Sequence, residues 1–452
     1  MSSPAVWISL RRWLGRIGLL AFVLGIIVAV VLLRTDAGGD LRIISPHWEG
    51  IRIEFARGFN AWRAAHHQAP VTIDWLDVGG MSDILRYLRT NKGAADAYID
   101  IVFGGGLDPY LVLAAEDLLA PCPLPAATLT NIPLNLHGVP LYETNGLWYG
   151  AALSGFGILY NKVVMEKFKL PTPLTWAALA DPALRGWLGS ADPRKSGVVH
   201  MVYEIILQGY GWETGMVLLS AMSGNVRGFS QSASSVPKDI AAGDIAAGLS
   251  IDTYAWSTVA RIGEDRLAFV LPQGLTVANP DAIALLKGAP HAEAAIAFIQ
   301  FVMSEAGQKI WMLKKNSLPG APVDFDLAKM PVWPALFAKY APYTVFHDSP
   351  FAWTNTVRYD AKLGATRWNI LNDYVGCLFI DAHAECKAAW AKVSTRPARD
   401  PLRQMFMRHP LSGQQLMTLA TGVYANAAAR ARLMSGWATD ARRRYAEIVG
   451  AP

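Results

Sequence analysis

GSADPRKSG, residues 189–197, is the stretch of sequence from which the rest of the chain can be interpreted. Its Asp-Pro pair and Lys195 are typical of a turn, and residues 198–207 predict an apolar helix behind that turn. Ser196 stands where a helix N-cap belongs, and Gly197 leaves the first helical amides uncovered. Such amides, together with the helix dipole, favour an anion. Taken alone, the stretch is explained more simply as a capped surface helix.

The residues before this stretch predict an α/β unit. Strands and helices alternate in a β-α-β-α-β-α order, which implies a parallel sheet with helices on its faces. Ligands bind such sheets beyond the carboxyl ends of the strands, and here those ends carry Ser45, His47 and two glycine turns, 79–80 and 104–106. The predicted strands are 41–46, 71–76 and 98–103, and the predicted helices are 50–65, 84–90 and 108–115.

A second α/β unit follows the opening stretch. Residues 226–229 and 245–251 predict strands, and Asp252 and Tyr254 come at the carboxyl end of the second one. A serine cluster that includes Ser232 and Ser234 follows the first. From residue 323 onward the pattern changes to helical stretches, the last of them predicted over 413–448.

Length, composition and net charge limit the number of domains and the kinds of partner that we expect. With 452 residues, 52% of them hydrophobic, the chain can form two or three domains with a large core. Its formal net charge is only +5, and no basic run is interleaved with aromatic residues, so a nucleic-acid partner is not expected.

Motifs of catalysis and metal binding are missing from the sequence. There is no H-E-x-x-H, G-x-x-x-x-G-K-[ST] or G-x-G-x-x-G motif, and Ser154 lacks the G-x-S-x-G spacing. The three cysteines show no C-x-x-C spacing; Cys377 and Cys386 either form a disulfide or are two buried thiols. We therefore predict no catalytic residue, no metal site and no cofactor, and we expect that the protein is not an enzyme.

The N-terminus carries an apolar run at residues 17–33, preceded by three arginines and followed by Asp36 and Asp40. The run approaches the length that spans a bilayer, and its charge bias directs the body of the chain out of the cytoplasm. A cleaved signal peptide is the alternative. Because no small-x-small site follows the run, we favour an uncleaved membrane anchor, with the body in the periplasm or extracellular space.

An ordered set of motifs carries a resemblance to a known family. The segments are SGFGILYN at 154–161, PTPLTWAALADP at 171–182, ADPRKSG at 191–197, Ser232-x-Ser234, and GDIAAGLSIDTYA at 243–255. Together they resemble the extracellular solute-binding proteins of ABC importers, nearest the branch that binds ferric iron, phosphonates, sugar phosphates, thiamine and polyamines. The resemblance spans about residues 41–312.

The resemblance implies a fold and a mechanism. The fold is the α/β, two-lobe type II periplasmic-binding-protein fold, here with an N-terminal transmembrane helix and an extra C-terminal helical region. Ligand is captured in the cleft between the lobes by hinge closure, and the partners are ABC permease and ATPase subunits. The expected divisions are an anchor or signal at 1–40, lobe one at 41–153 plus 276–322, lobe two at 154–275, and a C-terminal helical extension at 323–452.

The resemblance also implies where the ligand binds and which residues contact it. We expect strand ends and helix starts to line the cleft with hydroxyls and backbone amides, which suit an organic anion or a phosphorylated compound. Ferric iron is the alternative ligand, because His47, Asp252 and Tyr254 could assemble a hard-metal site. An exported enzyme or sensor domain on the same fold is the alternative from another functional class. The predicted ligand-binding residues are Ser45, His47, Ser82, Gly105, Gly106, Ser154, Ser196, Gly197, Ser232, Ser234, Asp252 and Tyr254.

Overall fold

The computed structural model of the chain describes residues 40–91, 98–272, 274–344, 346, 349–353 and 357–452. The predicted anchor at 17–33 lies outside these residues. In the part that is described, no helix is both long enough and apolar enough to cross a membrane.

Strands and helices alternate in the first part of the chain, as the sequence predicts. The elements are β1 (Leu41–Ile44), α1 (Glu49–Ala65), β2 (Ile73–Leu76), α2 (Met81–Thr90), β3 (Ile101–Phe103), α3 (Leu107–Ala115), β4 (Leu119–Ala120), α4 (Ala126–Leu129), β5 (Asn135–Leu136), β6 (Val139–Pro140) and β7 (Tyr149–Asn161).

The middle of the chain forms a second α/β unit. Its elements are α5 (Lys162–Phe168), β8 (Leu188–Ala191), α6 (Gly197–Gly209), α7 (Trp212–Asn225), β9 (Val226–Ser230), α8 (Val236–Ala242), β10 (Ala247–Ile251), α9 (Asp252–Ile262), β11 (Leu267–Val270) and β12 (Ala278–Leu286).

After β12 the described chain is helical, apart from short turns and extended segments. The helices are α10 (Ala292–Met303), α11 (Glu305–Met312), α12 (Pro334–Lys339), α13 (Ala361–Val375), α14 (His383–Val393), α15 (Pro401–Met407), α16 (Gly413–Thr421) and α17 (Ala427–Gly450), with a π-helical turn at Gly376–Ile380.

The strands pair in two groups that share β7. In the first group, β1 lies between β2 and β3 and runs parallel to both, as predicted, while β12 pairs antiparallel with β3. In the second group, β8 lies parallel between β10 and β9. The long strand β7 pairs with β12 up to Gly155 and with β10 from Phe156 onward. The result is a mixed α/β fold of two lobes connected by β7 and by the chain that leads from β11 into β12.

Helix α6 begins where the sequence predicts, because the Ser196 hydroxyl accepts a hydrogen bond from the amide of Val199 at 3.4 Å. The helix is not a surface helix. Every residue from Val199 to Leu207 is buried, and the apolar side chains among them belong to one core with those of α13, α14 and α17. The C-terminal helices therefore complete the core of the second lobe.

Two predictions for the C-terminal region are resolved by the structure. The single helix predicted over 413–448 is two helices, because the chain breaks after α16 at Gly422 and Asn426 caps α17 by accepting from the amide of Ala429 at 3.0 Å. Cys377 and Cys386 are both free and buried, so the alternative of two buried thiols holds.

Candidate functional site

A cleft of about 530 Å³ lies between the two lobes. The loops that follow β1, β2 and β3 line one wall, and the loops that follow β8, β9 and β10 line the other. Its walls are therefore the carboxyl ends of the parallel strands, where α/β folds bind ligands.

Among the described residues, five helices begin at this cleft: α1, α2, α3, α6 and α9. The first turn of a helix has amides without partners in the helix, and its dipole is positive there. At α6, the amides of Gly197 and Val198 have no hydrogen-bond acceptor among the residues described. The convergence of helix starts from both lobes makes the cleft suited to an anion.

Glycine allows the two walls to touch at the rim. A Cβ added to Gly80 would lie 2.3 Å from the carbonyl oxygen of Lys195, so no side chain fits between these two backbones. Beside this contact, the Lys195 ammonium lies 3.7 Å from Asp83 Oδ1. The two lobes therefore contact one another across the cleft in this structure.

A buried polar network forms the floor of the cleft. Asp281 Oδ2 accepts from His47 Nε2 at 3.0 Å and also from the Lys329 ammonium. Lys329 Nζ additionally donates to Ser154 Oγ at 2.8 Å. The Lys329 and Asp281 side chains are only 4% and 8% exposed, so this ion pair is shielded from water.

The pKa values of the floor residues depend on burial and on the charges beside them. Burial alone would raise the pKa of Asp281, but Lys329 and His47 hold it well below its usual range, so the carboxylate is ionised. Burial lowers the pKa of His47 despite the opposing effect of Asp281, so the imidazole is neutral at pH 7. The Lys329 ammonium is thus paired with the Asp281 carboxylate, and it also attracts the buried carboxyl of Asp252, whose pKa burial raises to about 6.

Nine of the twelve residues predicted from the sequence line the cleft. They are His47, Gly105, Gly106, Ser154, Ser196, Gly197, Ser232, Ser234 and Tyr254. Burial raises the pKa of Tyr254 to about 12, so its hydroxyl is neutral and can donate.

The other three predicted residues do not line the cleft. Ser45 is fully buried, and its hydroxyl accepts from the amide of His47 at 3.1 Å, which shapes the loop beneath the site. Asp252 is 1% exposed and accepts from the amide of Gly155 at 2.7 Å, so it fixes the backbone of β7 where that strand changes partners. Ser82 has a buried hydroxyl on the first turn of α2.

The sequence did not reveal the charged residues of the floor. Asp281 lies within β12 and Lys329 lies beyond the segment of resemblance, and only the tertiary fold brings them together. Lys329 is placed by two backbone bonds, from its own amide to Trp311 at 2.9 Å and from the amide of Leu153 to Met330 at 2.7 Å. A residue from the predicted C-terminal extension is therefore part of the cleft.

A metal site is not apparent among the residues that the structure describes. They contain no group of three or more His, Cys, Asp or Glu side chains placed to hold a metal ion. Of the described residues that line the cleft, Tyr254 is the one tyrosine. His47 and Asp281 face each other and Lys329, and this ammonium would repel a cation placed between them.

The fold and the cleft define a class of binding protein, and comparison with known proteins places the chain in it. Residues 113–338 match the family described as bacterial extracellular solute-binding protein. This range is half of the chain, and the chain belongs to that family. The match continues past residue 312 and includes Lys329, so the family pattern extends further than the sequence motifs indicated.

Among curated proteins, the chain is similar to the phosphoglycerate transport regulatory protein PgtC of Salmonella typhimurium. The two are 31% identical over 257 residues, which is 54% of this chain and 61% of PgtC. The chain thus spans about three fifths of the length of this relative.

Solved structures show the same fold. The periplasmic binding protein AfuA from Actinobacillus pleuropneumoniae, with fructose-6-phosphate bound, has a TM-score of 0.58 at 17% identity, covering 79% of this chain and 98% of AfuA. Iron-bound HitA from Pseudomonas aeruginosa has a TM-score of 0.56 at 19% identity, covering 74% of this chain and 99% of HitA. At these identities the likeness concerns the fold alone.

Proposed function

We propose that this protein is the extracytoplasmic solute-binding component of an ABC importer, that it captures an organic anion or phosphorylated compound between its lobes, and that it does so without catalysis. The observation that carries this proposal is the convergence of helix N-termini from both lobes on one cleft, where the amides of Gly197 and Val198 have no acceptor among the residues described. Ser196, Ser232 and Ser234 line the same cleft. A phosphate or carboxylate would receive these donors without needing a side-chain cation.

The charges in the cleft support an anion that is bound mainly by neutral donors. The Lys329 and Asp281 charges balance each other, and Lys195 faces Asp83. The names of two similar proteins agree with a phosphorylated ligand, since PgtC is a phosphoglycerate transport regulatory protein and AfuA holds fructose-6-phosphate. Ferric iron is the less supported ligand, because the three residues expected to hold it are not brought together: Asp252 does not line the cleft, and His47 is bonded to Asp281.

A sensor role is the second candidate function. It is favoured by the word "regulatory" in the name of PgtC and by the predicted anchor at 17–33, which would hold the binding lobes at the membrane beside a signalling partner. Both candidates use the same cleft and the same ligand chemistry. They differ in the partner, which is a permease with its ATPase in one case and a membrane receptor in the other.

The test of ligand capture compares two helix caps that have the same geometry. Ser196 caps α6 at the cleft, and Ser304 caps α11 away from it; each accepts from a backbone amide at 3.4 Å. Loss of an N-cap costs about 1 kcal/mol, so Ser196→Ala and Ser304→Ala should lower the free energy of unfolding to a similar extent.

Ligand binding should separate the two variants. A panel of phosphoglycerate, sugar phosphates, phosphonates, thiamine, polyamines and ferric ion is screened by thermal shift, where saturation at a hundred times Kd stabilises by about 2.7 kcal/mol. We expect a phosphorylated member to stabilise wild type and Ser304→Ala equally and Ser196→Ala less. Equal stabilisation of all three proteins, or no stabilisation by any anion, would contradict the proposal.

A further inference from the structure

We propose that the C-terminal segment of residues 357–375, which contains Tyr359 and α13, is an interlobe strap: it binds the starts of α3 and α6 to one another and so sets the closed geometry of the cleft. Tyr359 and Arg367 are its positioning residues. Neither lines the cleft, so they would act through the helices whose first turns do.

The strap reaches the first lobe through Asp108, on the first turn of α3. The hydroxyl of Tyr359 donates to Asp108 Oδ2 at 2.5 Å, and both residues are buried, at 3% and 0% exposure. Asp108 comes two residues after Gly106, which caps α3 at the cleft. Helix α13 also packs directly against α3. A movement of α3 away from the strap would therefore strip a buried carboxyl group of its hydrogen bond.

The strap reaches the second lobe through α6. Arg367 donates to both oxygens of Glu204, at 2.7 and 2.6 Å, in an ion pair that is nearly inaccessible to water. Paired and bidentate bonds of this kind fix geometry as well as adding energy. Because breaking a buried ion pair is strongly unfavourable, α13 should move with α6 when the lobes separate.

The same helix supports the cleft end of α6. The indole of Trp368 lies against the imidazole of His200, with ring centroids 3.7 Å apart, and His200 Nδ1 is hydrogen-bonded to Asn372 Oδ1 at 2.7 Å. A Cβ on Gly197 would lie 3.5 Å from the same indole. Gly197, which carries one of the amides without an acceptor, therefore lies beside the Trp368 side chain of the strap.

The strap is bound more strongly to the second lobe than to the first. The second lobe is bound by a bidentate ion pair and by the contact of the Trp368 and His200 rings, whereas the first lobe is bound by one tyrosine hydroxyl and by helix packing. Opening of the lobes by a hinge, which this inference takes from the proposed function, would therefore break the Tyr359–Asp108 contact and leave α13 with the second lobe. The strap therefore stabilises the closed state by the free energy of the Tyr359–Asp108 contact.

Two conservative substitutions weaken the contact, and the chain offers a matched control for each. Tyr359→Phe removes the hydroxyl; its control is Tyr424→Phe, whose hydroxyl also donates to a buried carboxylate, Asp373, but within the C-terminal helices. Gly364→Ala in α13 places a methyl group 2.5 Å from Asp108 Oδ2, and its control is Gly436→Ala in α17, where nothing lies within 4 Å.

The experiment measures the interlobe distance in the full chain without ligand. Spin labels are attached at Thr90→Cys in α2 and Lys238→Cys in α8, both exposed positions on opposite lobes, and the distance distribution is recorded by double electron–electron resonance. We expect Tyr359→Phe and Gly364→Ala to add or enlarge a longer-distance population. The two control variants should give the wild-type distribution.

The distance distributions either support the strap proposal or overturn it. If neither Tyr359→Phe nor Gly364→Ala lengthens the distance, or if the controls lengthen it equally, the strap does not set the cleft geometry. Because no ligand is added, such a result leaves the ligand assignment untouched, and failure of the ligand panel leaves this result untouched.

Discussion

Replacement of Lys329 by methionine is the most direct perturbation of the cleft floor. The ammonium is 4% exposed and donates to Asp281 and to Ser154. Methionine has a similar length and can pack on the indole of Trp311, whose ring centre lies 5.5 Å from Lys329 Nζ. The substitution therefore removes the charge with little loss of packing and leaves Asp281 as a buried carboxylate with His47 as its remaining partner.

The expected cost follows from that environment. Breaking a buried ion pair by removing one member costs about 3–5 kcal/mol. Because His47 still donates to Asp281 at 3.0 Å, we expect the lower end of that range, about 3 kcal/mol. In the double variant Lys329→Met/Asp281→Asn both charges are absent while the amide can still bond His47, so at least about half of the loss should be recovered.

The assay is equilibrium urea unfolding at pH 7, followed by tryptophan fluorescence. Lys339→Met serves as the surface control, since Lys339 pairs with Glu305 at an exposed site and its loss should leave the unfolding midpoint unchanged. The reasoning would be refuted if Lys329→Met unfolded at the wild-type urea concentration, or if the double variant were less stable than the single one.

Three further outcomes are expected. Arg367→Met should cost about 3 kcal/mol in urea unfolding, because it removes the ion-pair partner of the buried Glu204. Arg443→Met removes exposed ion pairs with Asp440 and Glu447 and should leave the urea midpoint nearly unchanged; similar costs for the two variants would show that burial of the ion pair is not the reason. Asp281 has a depressed pKa in the folded state, so its stabilisation is complete above about pH 5 and is lost as the pH falls through the pKa of the unfolded state towards that of the folded state. The difference in urea midpoint between wild type and Asp281→Asn should therefore shrink between about pH 5 and pH 2.5, and a constant difference would speak against an ionised Asp281. Gly80→Ala should force the cleft rim apart at Lys195 and weaken the binding of any captured anion in calorimetry; an unchanged Kd would mean that the rim contact does not matter for closure.

Local signals were sufficient for much of the fold. The alternation of strands and helices up to β12 and the cap at Ser196 are set by short-range periodicity and by turn chemistry, and the structure confirms them. The same signals identified nine residues of the cleft, because strand ends and helix starts are visible in a sequence.

What could not be predicted depends on contacts between distant segments. The pairing of Asp281 with Lys329 joins a residue within a strand to one in an irregular segment, and no motif links them. The contact of Tyr359 with Asp108 spans 251 positions. The C-terminal region was predicted to be an addition to the two lobes, but its helices fill the core of the second lobe and its first segments contact both lobes, which only packing could reveal.

The central claim is that helix N-termini in the cleft bind an anionic group of the ligand, and calorimetry on matched solutes tests it most directly. Each pair differs by one phosphate group: phosphoglycerate with glycerate, and fructose-6-phosphate with fructose. Two charge-assisted hydrogen bonds to the phosphate contribute about 3 kcal/mol or more, which corresponds to about 100-fold in Kd. The account predicts that at least one phosphorylated member binds tighter than its partner by this factor. Equal affinities within both pairs, alongside tight binding of ferric ion or a polyamine, would contradict it.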